Sequence, residues 1–436
     1  MTVGAPAPPK RGPAGPAAAP PATAPSAAAG SAPPHRSGRV RAWLSGTPGR
    51  LRILTAVVVV VTVGFGLLAM QAFRATSAAL DRADHNTAQL LRVQSIAIDL
   101  VKADATATNS FLVGGLEPPE QRAAYQAAMD DATALVARAA TAQPADADAL
   151  AALNTIVAQY SGTVEQARAN NRQNLQIGAQ YLRNASAALR SQALPILDAL
   201  AAANSDRVDT ELNAAEQSAR ILDLLGVLAV IVLAGVLVWL AMMSRRRVNV
   251  GVAVSLVVVL ATLIISAIVL NGVGKDVQQV RDGPLARTTA LGAARVAAFD
   301  ARSNESLTLI ARGSGQSFEK AWLAASAKVT TVDPDLADEW APYVAAHQQL
   351  RKLDDGGKWE AAVNAATAPA MASSTSFGAF AKASASALAA QQKLTSDGLR
   401  SSNGWLPWVA WLALIAGALA AFAGWRGVGQ RLEEYR

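Results

Sequence analysis

The sequence predicts an all-α membrane protein with four transmembrane helices and two helical bundles outside the membrane. Hydrophobic residues make up 52% of the chain and charged residues only 16%, whereas soluble proteins carry about 25% charged residues. Alanine, which favours helix, is abundant, and the alternating pattern of strands is absent outside the apolar runs. Four apolar stretches reach the roughly 20 residues that a helix needs to cross a bilayer.

The four predicted spans differ in composition. The first three are rich in valine, leucine and isoleucine, whereas the fourth carries tryptophans suited to the membrane interfaces. The first span lies too deep in the chain, and is too long, to be a cleaved signal peptide. The predicted spans are residues 51–73, 221–243, 248–270 and 405–425.

Basic residues predict the orientation of these spans in the plasma membrane. Seven lysines or arginines and no acidic residue precede Ile53, and three arginines lie in residues 244–247, between the second and third spans. The end of the chain, residues 426–436, adds three more. Because short cytoplasmic segments are rich in Lys and Arg, we expect both termini and the arginine link to be cytoplasmic. The net charge of +7 then reflects topology and attraction to anionic lipid, not nucleic-acid binding.

Residues 1–50 are dominated by proline, alanine, glycine and serine. A segment with so few large apolar residues cannot bury enough surface to fold, so we predict a disordered cytoplasmic tail. Two roles stay open for it: a spacer near anionic lipid, or a docking segment for a partner.

Residues 74–218 predict a four-helix bundle on the outer side of the membrane. Its first helix continues directly out of the first span until glycines and prolines at residues 114–119 end it. Apolar residues at spacings of three and four mark a seam over residues 150–167. A leucine repeat of seven residues runs over residues 175–196, and Pro195 is expected to kink or break that helix. Short turns between the helices predict an up-down bundle.

Residues 273–403 predict a second bundle on the same plan. Aromatic residues at helical spacing mark its second and third helices, among them Trp322, Trp340 and Tyr343. Each half of the chain has a span, a long helix, a glycine-rich turn, an aromatic-bearing helix, further helices and a second span. This order predicts a tandem duplication, in which Tyr125 corresponds to Trp322.

No constellation of residues supports catalysis, and we expect the protein not to be an enzyme. The sequence contains no Gly-rich phosphate loop, His–Glu zinc motif or nucleophile elbow. The absence of cysteine excludes disulfides and thiolate sites, and the three histidines are scattered. We therefore predict no catalytic residue, cofactor site or metal site. The spans also lack the embedded charged residues that mark an ion path in a transporter.

Five residues of the predicted bundles are candidates for contact with a ligand or a partner protein. His347 lies on an apolar seam, where it is either a packed or interface histidine or a ligand contact. Four charged residues on the first helices of the bundles either line a cleft between helices or lie on a solvated face. These four are Arg92, Asp99, Arg295 and Asp300.

The cytoplasmic segments are too small to act alone, so an output would need a recruited protein. The arginines of the link either determine topology or dock a partner. The amphipathic end is either a frayed tail or a partner handle, because it combines apolar residues with both signs of charge. The candidate effector contacts are Arg245, Arg246, Arg247, Arg431, Leu432, Glu433, Glu434 and Tyr435.

Two helical bundles, each inserted between a pair of spans, resemble the sensory halves of bacterial chemoreceptors and sensor kinases. No kinase or methyl-accepting coiled coil follows here, and in this respect the chain resembles the actinobacterial GlnX-type family of four-span signalling proteins. The resemblance covers about residues 50–436. It is carried by the topology and by two segments, Leu307–Gly313 (LTLIARG) and Arg426–Arg436 (RGVGQRLEEYR).

The resemblance implies a transmembrane signal relay. In that family a GlnH-type solute-binding lipoprotein, which senses external aspartate or glutamate, is connected to the cytosolic Ser/Thr protein kinase G, and no family active site exists to transfer. Two alternatives stay open. One is a chemoreceptor-like sensor that binds an amino acid directly, and the other is a structural envelope scaffold.

Overall fold

The structure, a computed structural model, describes residues 47–113, 117–173, 175–244 and 249–433. These residues form helices and short connections without any strand, which confirms the all-α fold. Four of the helical stretches are long and apolar enough to cross a membrane, so the chain is a multi-pass membrane protein. Most of the predicted tail, the arginines of the link and the last three residues lie outside the described residues.

The described residues of the first half of the chain form five α-helices. A 3₁₀ turn at Pro144–Asp146 precedes the third helix, and a π-helical turn at Leu189–Ala193 joins the fourth to the fifth. The helices are α1 (Thr47–Val113), α2 (Pro119–Ala142), α3 (Ala147–Arg172), α4 (Ile177–Ala188) and α5 (Leu194–Ser244).

The second half contains seven α-helices among the described residues. A π-helical turn at Arg281–Leu285 joins the first two, and a 3₁₀ turn at Pro334–Leu336 precedes the fourth. The helices are α6 (Val250–Val280), α7 (Ala286–Ile310), α8 (Gln316–Val332), α9 (Ala337–Asp355), α10 (Trp359–Thr367), α11 (Ala372–Asn403) and α12 (Leu406–Glu433).

The compact part of the structure is Leu54–Arg436, and every contact given below lies within it. Residues up to Ile53 are a separate unit, and its described part is the first turns of α1.

Helix α1 contains 67 residues, which corresponds to a length of about 100 Å. Such a helix includes the apolar span and then continues past it, as the sequence predicts. It ends at Val113, and Pro119 opens α2, where its missing N–H costs nothing.

The π-helical turns lie beside the prolines of two long helices. Pro195 was expected to kink or break its helix, but α4 and α5 continue through the π turn that ends two residues before it. The second π turn contains Pro284. A proline cannot donate a backbone hydrogen bond and its ring crowds the preceding turn. Widening that turn by one residue accommodates the ring without ending the helix.

The repeat of the two halves is clearest at the two 3₁₀ turns. Leu150, Leu153 and Val157 follow Pro144 by 6, 9 and 13 residues. Their counterparts after Pro334 are Trp340, Tyr343 and His347, and all six are buried. By the same count Trp322 corresponds to the buried Ala132, 12 residues before the proline. Counted from the first residues of α2 and α8, however, Tyr125 and Trp322 each lie six residues into their helix, as predicted. The two counts differ because α8 is shorter than α2.

Two hydrophobic cores meet along α1. Ile96 and Leu100 pack into a core with α2, α3, α4 and α5. Ile98 and Val101, on another face of the same helix, pack into a core with α7, α8, α9 and α11. Helix α7 also reaches both cores, since its Val296 packs against each of them. The two bundles therefore form one packed assembly, with α1 and α7 at their joint.

Small residues bring the apolar helices together. A Cβ atom on Gly417 of α12 would lie 2.7 Å from Cα of Gly66 in α1. Ser255 of α6 donates a hydrogen bond of 2.6 Å to the carbonyl of Ala420. Close backbone approach between small residues, with a hydroxyl bonded across it, is how membrane helices commonly associate.

Candidate functional site

Two of the five candidate residues of the bundles meet in one cavity. Asp99 of α1 and Arg295 of α7 line a cavity of about 370 Å³ between the two halves of the assembly. Helices α2 and α11 complete its walls. The other lining residues are Ser95, Ile98, Asp131, Ala134, Leu135, Arg138, Ala385, Leu388, Ala389 and Gln392.

Arg295 is 8% exposed and only partly satisfied. Its Nη1 donates hydrogen bonds of 2.7 Å to the carbonyl of Ala381 and 2.6 Å to Oγ of Ser384. Its Nε is buried and has no hydrogen-bond partner among the described residues. No carboxylate of the described residues forms an ion pair with it, and burial lowers the pKa of its guanidinium.

Asp99 is half-buried and also unpaired within the described part of the chain. Burial raises the pKa of its carboxyl to about 6. Lys102 and Arg295 act against this rise, and the nearby charge of Asp131 adds to it. A carboxyl and a guanidinium thus face one cavity, each partly desolvated and neither neutralised by a close partner.

A second carboxylate and a second guanidinium line the cavity at its exposed edge. Asp131 and Arg138 of α2 line it and are exposed. The charges of the four side chains sum to zero, and apolar side chains such as Ile98, Leu135 and Leu388 also line the cavity. Such a cavity can hold a small molecule that carries charges of both signs.

A second polar cluster is buried at the joint between the halves. Asp104 of α1 is 1% exposed and accepts hydrogen bonds from Ser186 and Ser303, each of 2.6 Å. Arg190, in the first π turn, lies 3.3 Å from the Asp104 carboxylate. The same guanidinium lies 2.6 Å from the carboxylate of Asp300. The candidate Asp300 therefore belongs to this cluster and not to the cavity.

Sequence reasoning missed Asp104 and Arg190, although Asp104 carried a signal. It lies four residues after Leu100 and three before Ala107, on the apolar stripe of α1. A carboxylate on such a stripe is buried and needs hydrogen-bond or ionic partners. Its position therefore indicates a buried polar cluster. Arg190 offered no comparable signal, because the π turn that points it at α1 and α7 is not visible in the pattern.

His347 lies in a third cluster, inside the second bundle. Its ring nitrogens are 2.8 Å from Glu305 and 3.2 Å from Glu319, and its ring stacks on Trp322 at 3.5 Å between centroids. Burial alone would lower the pKa of His347, but the hydrogen bonds and charges of the two glutamates raise it. Arg302 pairs with Glu305, which is fully buried. The cluster holds α7, α8 and α9 together, and His347, Glu319 and Trp322 also line a groove between α8 and α9.

Arg92 lies on α1 outside these clusters. Its Nη1 donates a hydrogen bond of 3.2 Å to the side chain of Gln89. Gln89 is buried and reaches the carboxylate of Asp146 at the start of α3. Arg92 thus supports a connection within the first bundle.

The candidate effector contacts lie at or beyond the ends of the described helices. Arg245, Arg246, Arg247, Glu434 and Tyr435 are outside the described residues, whereas Arg431, Leu432 and Glu433 form the end of α12.

One hydrogen bond connects the helix that follows the arginine link to the helix that contains Arg431, Leu432 and Glu433. Asn249, two residues after the arginine link, caps α6 and donates a bond of 3.0 Å to the carbonyl of Gly427. The beginning of α6 therefore lies beside the end of α12, four residues before Arg431.

No group of histidine, aspartate and glutamate side chains in the described ranges is arranged to hold a metal ion. A family model described as an actinobacterial sensor domain matches residues 79–213. These residues extend from α1 into α5 and include the whole of α2, α3 and α4. No curated protein and no solved structure matches the chain. The first bundle is therefore similar to an actinobacterial sensor domain, and this similarity supports a sensing or signalling role for this membrane protein.

Proposed function

We propose that the protein is a transmembrane signal relay between an extracytoplasmic solute-binding lipoprotein and a cytosolic Ser/Thr protein kinase. In this proposal the lipoprotein senses aspartate or glutamate and acts on the helical assembly outside the plasma membrane. The observation that carries the proposal is the continuity of the helices. Helices α1 and α5, and α6 with α7 through the second π turn, run from the packed bundles into apolar spans.

Two further observations support this role. The match of residues 79–213 to a sensor domain falls on the first bundle, where a sensing role is expected. The arginines that flank the spans favour an orientation with both termini in the cytoplasm. In that orientation both bundles face outward, and the kinase meets the tail, the arginine link and the end of α12.

The joint between the halves offers a mechanism for transmission. A ligand or partner shifts a two-state equilibrium only by its differential affinity for the two states, and about 1–3 kcal/mol is typical of such coupling. Asp104, Arg190 and Asp300 join α1, the first π turn and α7 in one buried network. A partner that changes the relation of the two bundles must move this network, and α1 and α7 continue towards the membrane.

The output surface is the cytoplasmic face formed by the arginine link and the end of α12. Asn249 and Gly427 bring the beginning of α6 beside the end of α12, so a movement of α6 against α12 would change this face. Leucine, tyrosine and charges of both signs at residues 431–436 suit a short, specific contact. We propose that the kinase docks there.

Purification of the full chain from cross-linked membranes tests the proposal. The relay predicts that both the lipoprotein and the kinase copurify with the chain, and that external aspartate changes the yield of the kinase. Deletion of residues 430–436 should remove the kinase and keep the lipoprotein. Partners that copurify to the same extent with and without aspartate would contradict the relay and favour a scaffold. An aspartate response that persists without the lipoprotein would favour a direct amino-acid sensor.

A further inference from the structure

The cavity between α1, α2, α7 and α11 contains charges that the chain does not satisfy. The Nε of Arg295 is buried without a partner, although Nη1 of the same guanidinium is well bonded. A buried donor left unbonded, or a buried charge left unpaired, is destabilising. The two good bonds fix the guanidinium beside the cavity that Arg295 lines, and no carboxylate of the described residues forms an ion pair with it there.

Just as Arg295 lacks an anionic partner among the described residues, Asp99 lacks a cationic one. It lines the same cavity, is half-buried, and has no ion pair or hydrogen bond from the described residues. A cationic group in the cavity would satisfy it. Because Asp99 and Arg295 do not form an ion pair with each other, each can interact with a ligand in the cavity.

The charge balance decides between the classes of ligand. Asp99 and Asp131 contribute two negative charges, and Arg138 and Arg295 contribute two positive charges. A simple anion would satisfy the arginines but face both carboxylates, and a simple cation would face both arginines. A molecule with one charge of each sign meets all four side chains and keeps the cavity neutral.

The size and lining of the cavity are consistent with a small organic ligand. Its volume of about 370 Å³ falls within the range of small-molecule sites, about 300–1,000 Å³. Leucine, isoleucine and alanine side chains form much of the wall, so a short aliphatic portion of a ligand also finds apolar contact.

We propose that this cavity binds a small zwitterion of the α-amino acid class. Its carboxylate would lie at Arg295 and Arg138, and its ammonium group at Asp99 and Asp131. The walls belong to α1 and α2 of the first bundle and to α7 and α11 of the second. Occupancy therefore connects the two bundles at their joint. The proposal rests on the cavity alone and requires neither the lipoprotein nor the kinase.

Ligand-observed NMR on the full chain in nanodiscs, with no other protein present, tests the site. The probes are glycine, alanine, glutamine and glutamate. Propionate and ethylamine, which each keep one charged group of alanine, serve as controls. At least one amino acid should bind, and the one-charge molecules should bind about tenfold more weakly or not at all.

Matched substitutions separate the cavity from the rest of the assembly. Asp99→Asn and Arg138→Gln should each weaken binding about tenfold. Asp130→Asn, next to Asp131 but outside the cavity, and Arg92→Gln, on α1, should leave binding unchanged. Because Arg138 is exposed, its substitution should preserve the fold, and an unchanged melting temperature would verify this.

The site would be refuted if no amino acid binds at millimolar concentration. It would also be refuted if propionate or ethylamine binds as well as alanine, or if Asp99→Asn and Arg138→Gln bind like the parent chain. Each of these results leaves the proposed relay intact, since neither of its protein partners is in the assay.

Discussion

Asp104 of α1 and Arg190 of the first π turn face each other at the joint between the two bundles, with 3.3 Å between carboxylate and guanidinium. The carboxylate is almost completely buried and also accepts a hydrogen bond of 3.2 Å from the hydroxyl of Tyr160. One side chain thus holds partners from α3, α4, the π turn and α7.

Removing this carboxylate should destabilise the whole assembly. Asp104→Ala leaves three hydroxyls without their acceptor and Arg190 with one carboxylate instead of two. We expect a loss of about 3–5 kcal/mol in unfolding free energy, measured by thermal and denaturant unfolding of the full chain in nanodiscs. Asp130→Ala, on the exposed face of α2, should change stability by less than about 0.5 kcal/mol. Equal losses for the two variants would contradict a structural role for the buried network.

The contact between the first and fourth spans should depend on two glycines. A Cβ on Gly417 would meet Cα of Gly66 and, at 2.9 Å, the carbonyl oxygen of Thr62. These are backbone atoms and cannot rotate away, so Gly417→Ala should separate α12 from α1 and lower the melting temperature.

Gly64 is the matched control, because a Cβ there meets nothing within 4 Å. Gly64→Ala should be neutral or slightly stabilising, since alanine is the better helix former by about 1 kcal/mol. If both alanine variants melt like the parent chain, close packing at Gly417 does not hold these helices together.

Introducing an aspartate into α3 should destabilise the first bundle at a buried position but not at an exposed one. Leu153 is fully buried in α3, whereas its neighbour Asn154 is exposed. Leu153→Asp places an unpaired carboxylate in the core, at a cost of several kcal/mol, and should prevent folding or lower the melting temperature sharply. Asn154→Asp should not.

Glu165 would be a poor control on the same helix. It looks like a solvated residue in the pattern, but it lies 2.7 Å from Arg168 and 3.3 Å from Arg122. A matched loss for Leu153→Asp and Asn154→Asp would contradict the assignment of the α3 seam to the core.

The His347 cluster predicts a dependence of stability on pH. Burial alone would lower the pKa of His347, but Glu305 of α7 and Glu319 of α8 face the ring and raise it. Arg302 and Arg351 pair with those two glutamates. A group with a raised folded-state pKa adds stability that is complete below its ordinary value, about 6.5, and is lost as pH rises through the folded-state value. The melting temperature of the full chain should therefore fall as pH rises above about 6.5.

His347→Asn isolates this contribution. Asp99, with its pKa raised to about 6, also favours the folded state at lower pH, so the parent chain alone is not decisive. The histidine variant should be less stable at pH 6 and should lose less stability than the parent between pH 6 and 8. Parallel curves for the two proteins would show that His347 does not titrate in this window.

Local sequence patterns predicted most of the helices. The features that depend on contacts between distant parts of the chain could not be predicted. The seam from Leu150 to Ala167 is buried as predicted, because a regular helix keeps its period. The predicted leucine repeat over residues 175–196 does not match the buried positions at either of its ends. Leu175 is exposed and precedes α4, and Leu197 replaces Ile196 in the core, because the π turn inserts one extra residue into the repeat.

The candidate site was likewise predicted only in part. Asp99 and Arg295 were selected as charged residues on the first helices of the bundles, and they line one cavity. The sequence did not indicate that the bundles pack against each other along α1 and α7. That contact joins residues almost 200 positions apart, such as Gln94, which donates a hydrogen bond to the carbonyl of Thr289. Without it, neither the cavity nor the pairing of Arg190 with Asp104 and Asp300 can be deduced.

The central claim is that an event outside the membrane changes the cytoplasmic face, and the absence of cysteine allows it to be measured directly. Spin labels at Met242→Cys, at the end of α5, and Gln430→Cys, near the end of α12, occupy exposed positions. Their separation is measured by pulsed electron paramagnetic resonance in nanodiscs that contain the full chain and the bound lipoprotein. The relay predicts that addition of aspartate shifts the distance distribution. The same distribution with and without aspartate, while the lipoprotein stays bound, would contradict it.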